Sequence, residues 1–133
     1  MRAQPRGADL VRAAATAASA KKAERIVILD VSEQLVITDH FLICSGNTDR
    51  QVRTIADEVE RVLSTDNGVK PYRREGQREG RWVLLDYVDF VVHVFHKEDR
   101  DYYDLERLWS DAPVVAFEDR WEEPTDERTR ATS

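Results

Sequence analysis

The chain holds one cysteine, Cys44, among its 133 residues. A lone thiol inside an apolar run closes no internal bridge and fits a reducing cytosol. No apolar stretch approaches the ~20 residues that a membrane span needs. The N-terminus lacks a signal-peptide core, so a cytoplasmic protein is expected. Basic charge is also in deficit: 20 Lys and Arg stand against 26 Asp and Glu, a formal net charge of −6. Nucleic-acid binders draw much of their affinity from neutralised phosphates, so contact with RNA is at most secondary here. A basic protein is the better partner. What is present is a composition 41% hydrophobic and 35% charged. At this length it describes one domain, able to bury roughly two thirds of its unfolded surface.

The chain is organised around Arg81 to Trp109, RWVLLDYVDFVVHVFHKEDRDYYDLERLW. Two strand-length runs, Arg81 to Asp86 and Phe90 to Phe95, are rich in β-branched and aromatic residues. Only Tyr87, Val88 and Asp89 separate them, too few for a crossover, so they pair as an antiparallel hairpin. A loop of two or four residues sets Trp82 opposite Phe95 and Leu84 opposite His93. Trp82, Leu84, Val91, His93 and Phe95 then share one face, with Val83, Leu85, Phe90, Val92 and Val94 on the other. The second face reads as core. The first, with a Trp and a His among apolar groups, reads as an open docking surface.

Along the rest of the chain, residues 1–8 read as a flexible N-terminus. Asp9 to Lys22 is an Ala-rich helix with an acid in its first turn and lysines in its last. Arg25 to Val31 and Asp39 to Ser45 are continuous apolar runs, the mark of strands buried on both faces. Asn47 to Ser64 is the clearest helix, capped by Asn47 or Thr48, with Val52, Ile55, Ala56, Val59 and Leu63 on one side. Asp66-Asn67-Gly68 ends it. Lys70 to Glu75 is a short basic edge strand, since Pro71 argues against a central place. Asp99 to Trp109 forms a third helix, capped by Asp99 or Asp101, with Tyr102, Leu105 and Trp109 along one stripe. Val114 to Phe117 adds a brief extended segment, and residues 118–133 read as a disordered acidic tail. Residues 9–117 therefore make one α/β domain, a mixed five-stranded sheet packed with helices.

Chemistry has few footholds. Ser45-Gly46, between a strand and a helix N-terminus, is where backbone amides could hold an anion. A nucleotide-transferring enzyme would set two carboxylates two residues apart on a strand, sharing one face and one metal. Asp86 and Asp89 are the acids to inspect, but the partner position of Asp89 is Val91. The pair is missing. His93 and His96 lie on opposite faces, so no metal ligand set forms, and no cofactor is expected. No catalytic residue emerges. Lys97 to Asp111 carries three bases and six acids among Tyr102, Tyr103 and Trp109. Consecutive Tyr102 and Tyr103 point about 100° apart on a helix and can hardly both be buried. An exposed Tyr beside Asp104 and Glu106 suits recognition of a basic protein.

The segments ITDHFLICSGNTDRQVRTIADEVE (Ile37 to Glu60) and GRWVLLDYVDFVVHVFHKEDRDYYDLERLWSDAP (Gly80 to Pro113) closely resemble the Iojap-like ribosomal silencing factors of bacteria and organelles. The likeness spans roughly Leu10 to Pro113. One departure is Val88, where that family usually has Gly; a β-branched residue resists positive φ, so a longer or different turn is expected. The resemblance implies a nucleotidyltransferase-like fold without its catalytic acids, and a non-enzymatic factor. Such a factor binds the large ribosomal subunit through its interface-side protein number fourteen, blocks joining of the small subunit, and lowers translation when nutrients are scarce. A homodimer in the free state is also implied. The partner-binding residues expected on this reading are Trp82, Leu84, His93, Tyr102, Tyr103, Asp104 and Glu106. The alternative is a nucleotide-binding enzyme relic that uses the Ser45-Gly46 turn.

Overall fold

The computed structural model describes residues 7–117. Most of the N-terminal segment and the whole acidic tail expected above lie outside them. The elements run α1 (Gly7–Ala20), β1 (Glu24–Asp30), β2 (His40–Gly46), α2 (Asp49–Asn67), β3 (Arg73–Glu75), β4 (Trp82–Asp86), β5 (Phe90–His96), α3 (Lys97–Tyr103) and α4 (Leu105–Leu108). The five strands form one mixed sheet in the order β1-β2-β5-β4-β3. Strands β2 and β5 are parallel, and the other neighbours are antiparallel.

Helices α1 and α2 cover one face, against Ile28, Leu42, Cys44, Val83, Leu85, Phe90, Val92 and Val94. These are the alternate positions that the period of two predicts for the aliphatic side of the hairpin. Helix α2 begins where Thr48 accepts a hydrogen bond from the Gln51 amide and ends at Gly68 in the left-handed region. Helix α1 opens two residues before Asp9 and stops at Ala20, so its lysines lie beyond the last turn. Lys22 takes a left-handed conformation there, and the Ala23 amide reaches back to Ala18 O.

Strand β1 is an edge strand with an exposed first half, a correction to its expected burial on both faces. Its outer side is partly covered by the segment after α4: Val114 bridges Leu29, and the Val115 amide donates to Ile28 O. The other edge is β3, three exposed residues long.

Candidate functional site

The hairpin pairs Trp82 with Phe95, Val83 with Val94 and Leu84 with His93. The Tyr87 amide donates to Phe90 O, which leaves Val88 and Asp89 as the loop. Contrary to expectation, the turn neither lengthens nor avoids positive φ. Val88 adopts φ 74, and the Asp89 amide closes a three-residue turn onto Tyr87 O. Asp86 steadies it by accepting from the Val88 amide at 2.8 Å. That carboxylate is a turn constituent, with Arg73 3.6 Å away. Asp89 stands exposed at the tip.

The face bearing Trp82 is only half open, which corrects the expected docking surface. Leu105, Trp109 and Ala112 fold back over Leu29, Phe41, Ile43 and Phe95 as a second, smaller core. His93 is buried with them, in edge contact with Phe41 at 4.8 Å between ring centres. It therefore offers no exposed contact. Its Nδ1 accepts the indole N–H of Trp82 at 3.2 Å, and so orients that ring. Burial pushes the His93 pKa down to about 4, and the imidazole is neutral at pH 7.

Trp82 is half-buried at the centre of an aromatic row, 4.6 Å from the Phe95 ring and 4.9 Å from the Tyr103 ring. Tyr102 sets its edge on Tyr103 at 5.0 Å. Their exposures, 80% and 48%, agree with the 100° argument that both could not be buried.

The expected single helix Asp99 to Trp109 is two short helices broken at Asp104, whose φ is 49. The first starts at Lys97 and is capped by His96, which accepts from the Glu98 amide; Asp99 and Asp101 are inside it. The break turns Leu108 outward and Leu105 inward, so the stripe reads Tyr103, Leu105 and Trp109 where Tyr102 was expected to lead it.

Charge here is more committed than the sequence implies. Arg100 is 2% exposed and binds Glu106 through Nη2 and Nε at 2.6 and 3.1 Å. Burial raises the Glu106 pKa, but the hydrogen bond and charge of Arg100 outweigh it and hold the carboxyl below its usual value. Glu106 is thus not free to meet a partner, whereas Asp104 is exposed. Asp99 and Glu98 hold Arg81, and Asp101 holds Arg25 at 2.8 Å.

Sequence reasoning passed over the far end of the same face. Val36 and Ile37, in the connection between β1 and β2, are 100% and 79% exposed. Ile37, with Tyr72 and Val88, rims a cavity of about 500 Å³ whose walls include Leu84 and Val91. A ValIle pair in a connection otherwise polar was the available signal.

The Ser45-Gly46 turn is occupied by the protein itself. Gln51 Oε1 accepts the Asn47 amide at 2.7 Å, and its Nε2 donates to Lys21 O and Lys22 O. A Cβ on Gly46 would press on that side chain at 3.3 Å. The Ser45 hydroxyl donates to Glu24 O and lies 3.4 Å from Arg100. Among the described residues, no group of three or more His, Cys, Asp and Glu could hold a metal ion. None of their helices is long and apolar enough to cross a membrane.

The chain is thus an α/β domain with one sheet face closed by helices and the other half open, lined by rings and aliphatic side chains. A family described as "Ribosomal silencing factor during starvation" matches residues 4–133. The chain belongs to this family. It is 48% identical over 107 residues to the Bacillus subtilis "Ribosomal silencing factor RsfS", which covers 80% of this chain and 90% of that one. A solved protein from Chromobacterium violaceum matches with a TM-score of 0.77 and 33% identity, over 85% of this chain and 92% of its own. More distant is the mouse "Mitochondrial assembly of ribosomal large subunit protein 1", 26% identical over 75% of this chain and 43% of that protein.

Proposed function

We propose that the protein is a cytoplasmic, non-enzymatic factor that silences ribosomes by occupying the large subunit. It binds through the subunit's interface-side protein number fourteen, keeps the small subunit from joining, and represses translation when nutrients are scarce. The observation that carries this reading is the surface on the half-open sheet face. Trp82, Tyr103 and Tyr102 form a contiguous aromatic row at one end, and Leu84 with Ile37 at the cavity rim continues it at the other. Large amphipathic rings half-buried on a rigid sheet are typical anchors of protein interfaces, because few torsions are lost on binding.

In this reading Trp82 is the apolar anchor. His93 positions it from beneath, Asp104 faces the basic partner, and Glu106 acts indirectly by holding Arg100 and hence the α3–α4 break. Steric exclusion requires no reactive group. The acidic balance of the chain favours encounter with a basic target and makes association salt-sensitive. The name of the mouse relative, which mentions the large ribosomal subunit, supports that choice of subunit.

A pull-down of purified large subunits tests the surface. Trp82→Ala should bind them about thirtyfold more weakly, roughly 2 kcal/mol, as expected of an interface anchor. Retention equal to that of the unaltered protein would refute it.

A further inference from the structure

The edge strand β3 and the residues leading into it carry a charge that the silencing surface does not use. From Lys70 to Arg81 the chain has five bases against two acids, a local +3 in a protein of −6. Lys70, Tyr72, Arg73 and Arg74 are all exposed, and the Tyr72 ring stands 79% exposed among the cations. The Tyr72 amide donates to Asp86 O at 2.7 Å, which fixes the start of the strand. These four residues, with Arg61, line a cleft of about 560 Å³ between β3 and α2. Tyr72 and Arg73 also border the apolar cavity of the half-open face, so the basic edge is continuous with that face.

Charge on an exposed edge ordinarily guards against strand-to-strand pairing. That role explains the cations and not the ring, since an exposed Tyr favours strand pairing. The ion pairs leave part of the charge free. Glu58 holds Arg61 at 2.8 Å and Glu60 holds Arg74 at 3.0 Å, whereas Arg73 stands 3.5 Å from Glu75 and 3.6 Å from Asp86. Lys70 makes no ion pair among the described residues. Both acids of the cleft, Asp57 and Glu60, lie on α2, so the side left positive is the strand.

A partner that answers this edge is polyanionic and carries flat rings. Phosphates meet the cations, and an unpaired base meets Tyr72, because every base has a π-face that stacks on an exposed ring. An acidic peptide would engage the cations and leave the ring idle. In a chain of net −6 such a contact adds to a larger interface and does not sustain one alone. We propose that β3 and its approach form an RNA contact: an unpaired base stacks on Tyr72 while its flanking phosphates lie along Lys70, Arg73 and Arg74. That the RNA is ribosomal rests on the silencing reading; the chemistry of the contact does not.

The test is an NMR titration of the full-length, isotope-labelled protein at low salt with octaadenylate, and with polyphosphate and oligoglutamate of matched charge. Octaadenylate should give saturable shifts at Lys70, Tyr72, Arg73 and Arg74 and bind about tenfold more tightly than either ringless polyanion, the worth of one stacked base. Tyr72→Leu, at a position too exposed to threaten the fold, should erase that preference and leave polyphosphate binding unchanged. Lys70→Ala should weaken all three and lower the slope of log affinity against log salt for octaadenylate by roughly 0.7, the share of one phosphate. Shifts that do not saturate or that fall elsewhere would overturn the contact, as would a preference that survives Tyr72→Leu. Oligoglutamate binding as tightly as octaadenylate would also overturn it and assign the edge to an acidic protein. No ribosome enters the measurement, so its failure and that of the silencing function are separable.

Discussion

The two faces of the sheet are built from the same five strands and differ in almost everything else. Under α1 and α2 the side chains are mostly aliphatic, with Phe90, Tyr87 and Cys44 among them, nearly all wholly buried, and the cover is two long regular helices. On the opposite face the cover is one broken helix and a returning segment. It reaches Phe95 and Phe41 but leaves Trp82, Leu84 and Val91 half-exposed. The first arrangement spends its apolar surface on stability. The second holds some back and orients it through the Trp82–His93 hydrogen bond. Under the proposed function, incomplete burial combined with fixed geometry is what suits this face to a partner, since loose apolar groups lose more entropy on binding.

The contrast can be broken by mutation. Phe90, fully buried on the helix side and stacked on Tyr87 at 4.9 Å, should cost about 4 kcal/mol on change to Ala. Leu84→Ala on the other face should cost less than about 1 kcal/mol, the usual range for sites outside a core. Urea unfolding reads both, and equal losses would abolish the distinction.

Next in size is the pH dependence set by His93. Its folded-state pKa of about 4 lies below the ordinary 6.5, so the native ring resists a proton that the unfolded chain accepts. Stability is then full above about pH 6.5 and falls on acidification toward pH 4, by roughly 3 kcal/mol for that separation. His93→Gln should flatten the profile between pH 6.5 and 5, and an unchanged slope would show the ring to be solvated. Trp82→Ala, with its roughly thirtyfold loss of subunit binding, should lower stability less than Phe90→Ala does. The smallest effect belongs to the turn. Val88→Gly relieves a β-branched residue at φ 74 and should stabilise the protein by up to about 1 kcal/mol, seen as a higher urea midpoint.

Local pattern made the helix-covered face readable in advance. Alternation placed Val83, Leu85, Phe90, Val92 and Val94 together, and helical spacing placed Val52, Ile55, Ala56, Val59 and Leu63 against them. Pro71 likewise pointed to the edge strand. The half-open face was harder because its burial is decided by segments remote in sequence. His93 looked exposed until the parallel pairing of β2 set Phe41 against it; Trp109 packs in turn on Phe41, after a break at Asp104, a residue that tolerates the left-handed region without announcing it. Arg100 looked solvated, since charged residues usually are. Only the fold brings Glu106, Ser45 and Glu24 around it. The filling of the Ser45-Gly46 turn by Gln51 also depends on the close approach of Lys21 and Lys22, which no local spacing encodes.

Under the proposed function, the protein silences by standing where the small subunit must dock. The direct measurement is sedimentation of purified large and small subunits, mixed in magnesium-containing buffer with saturating protein. The account predicts that separate subunit peaks persist, with the protein travelling in the large-subunit peak. Whole ribosomes forming as freely as in its absence, with the protein bound, would contradict it.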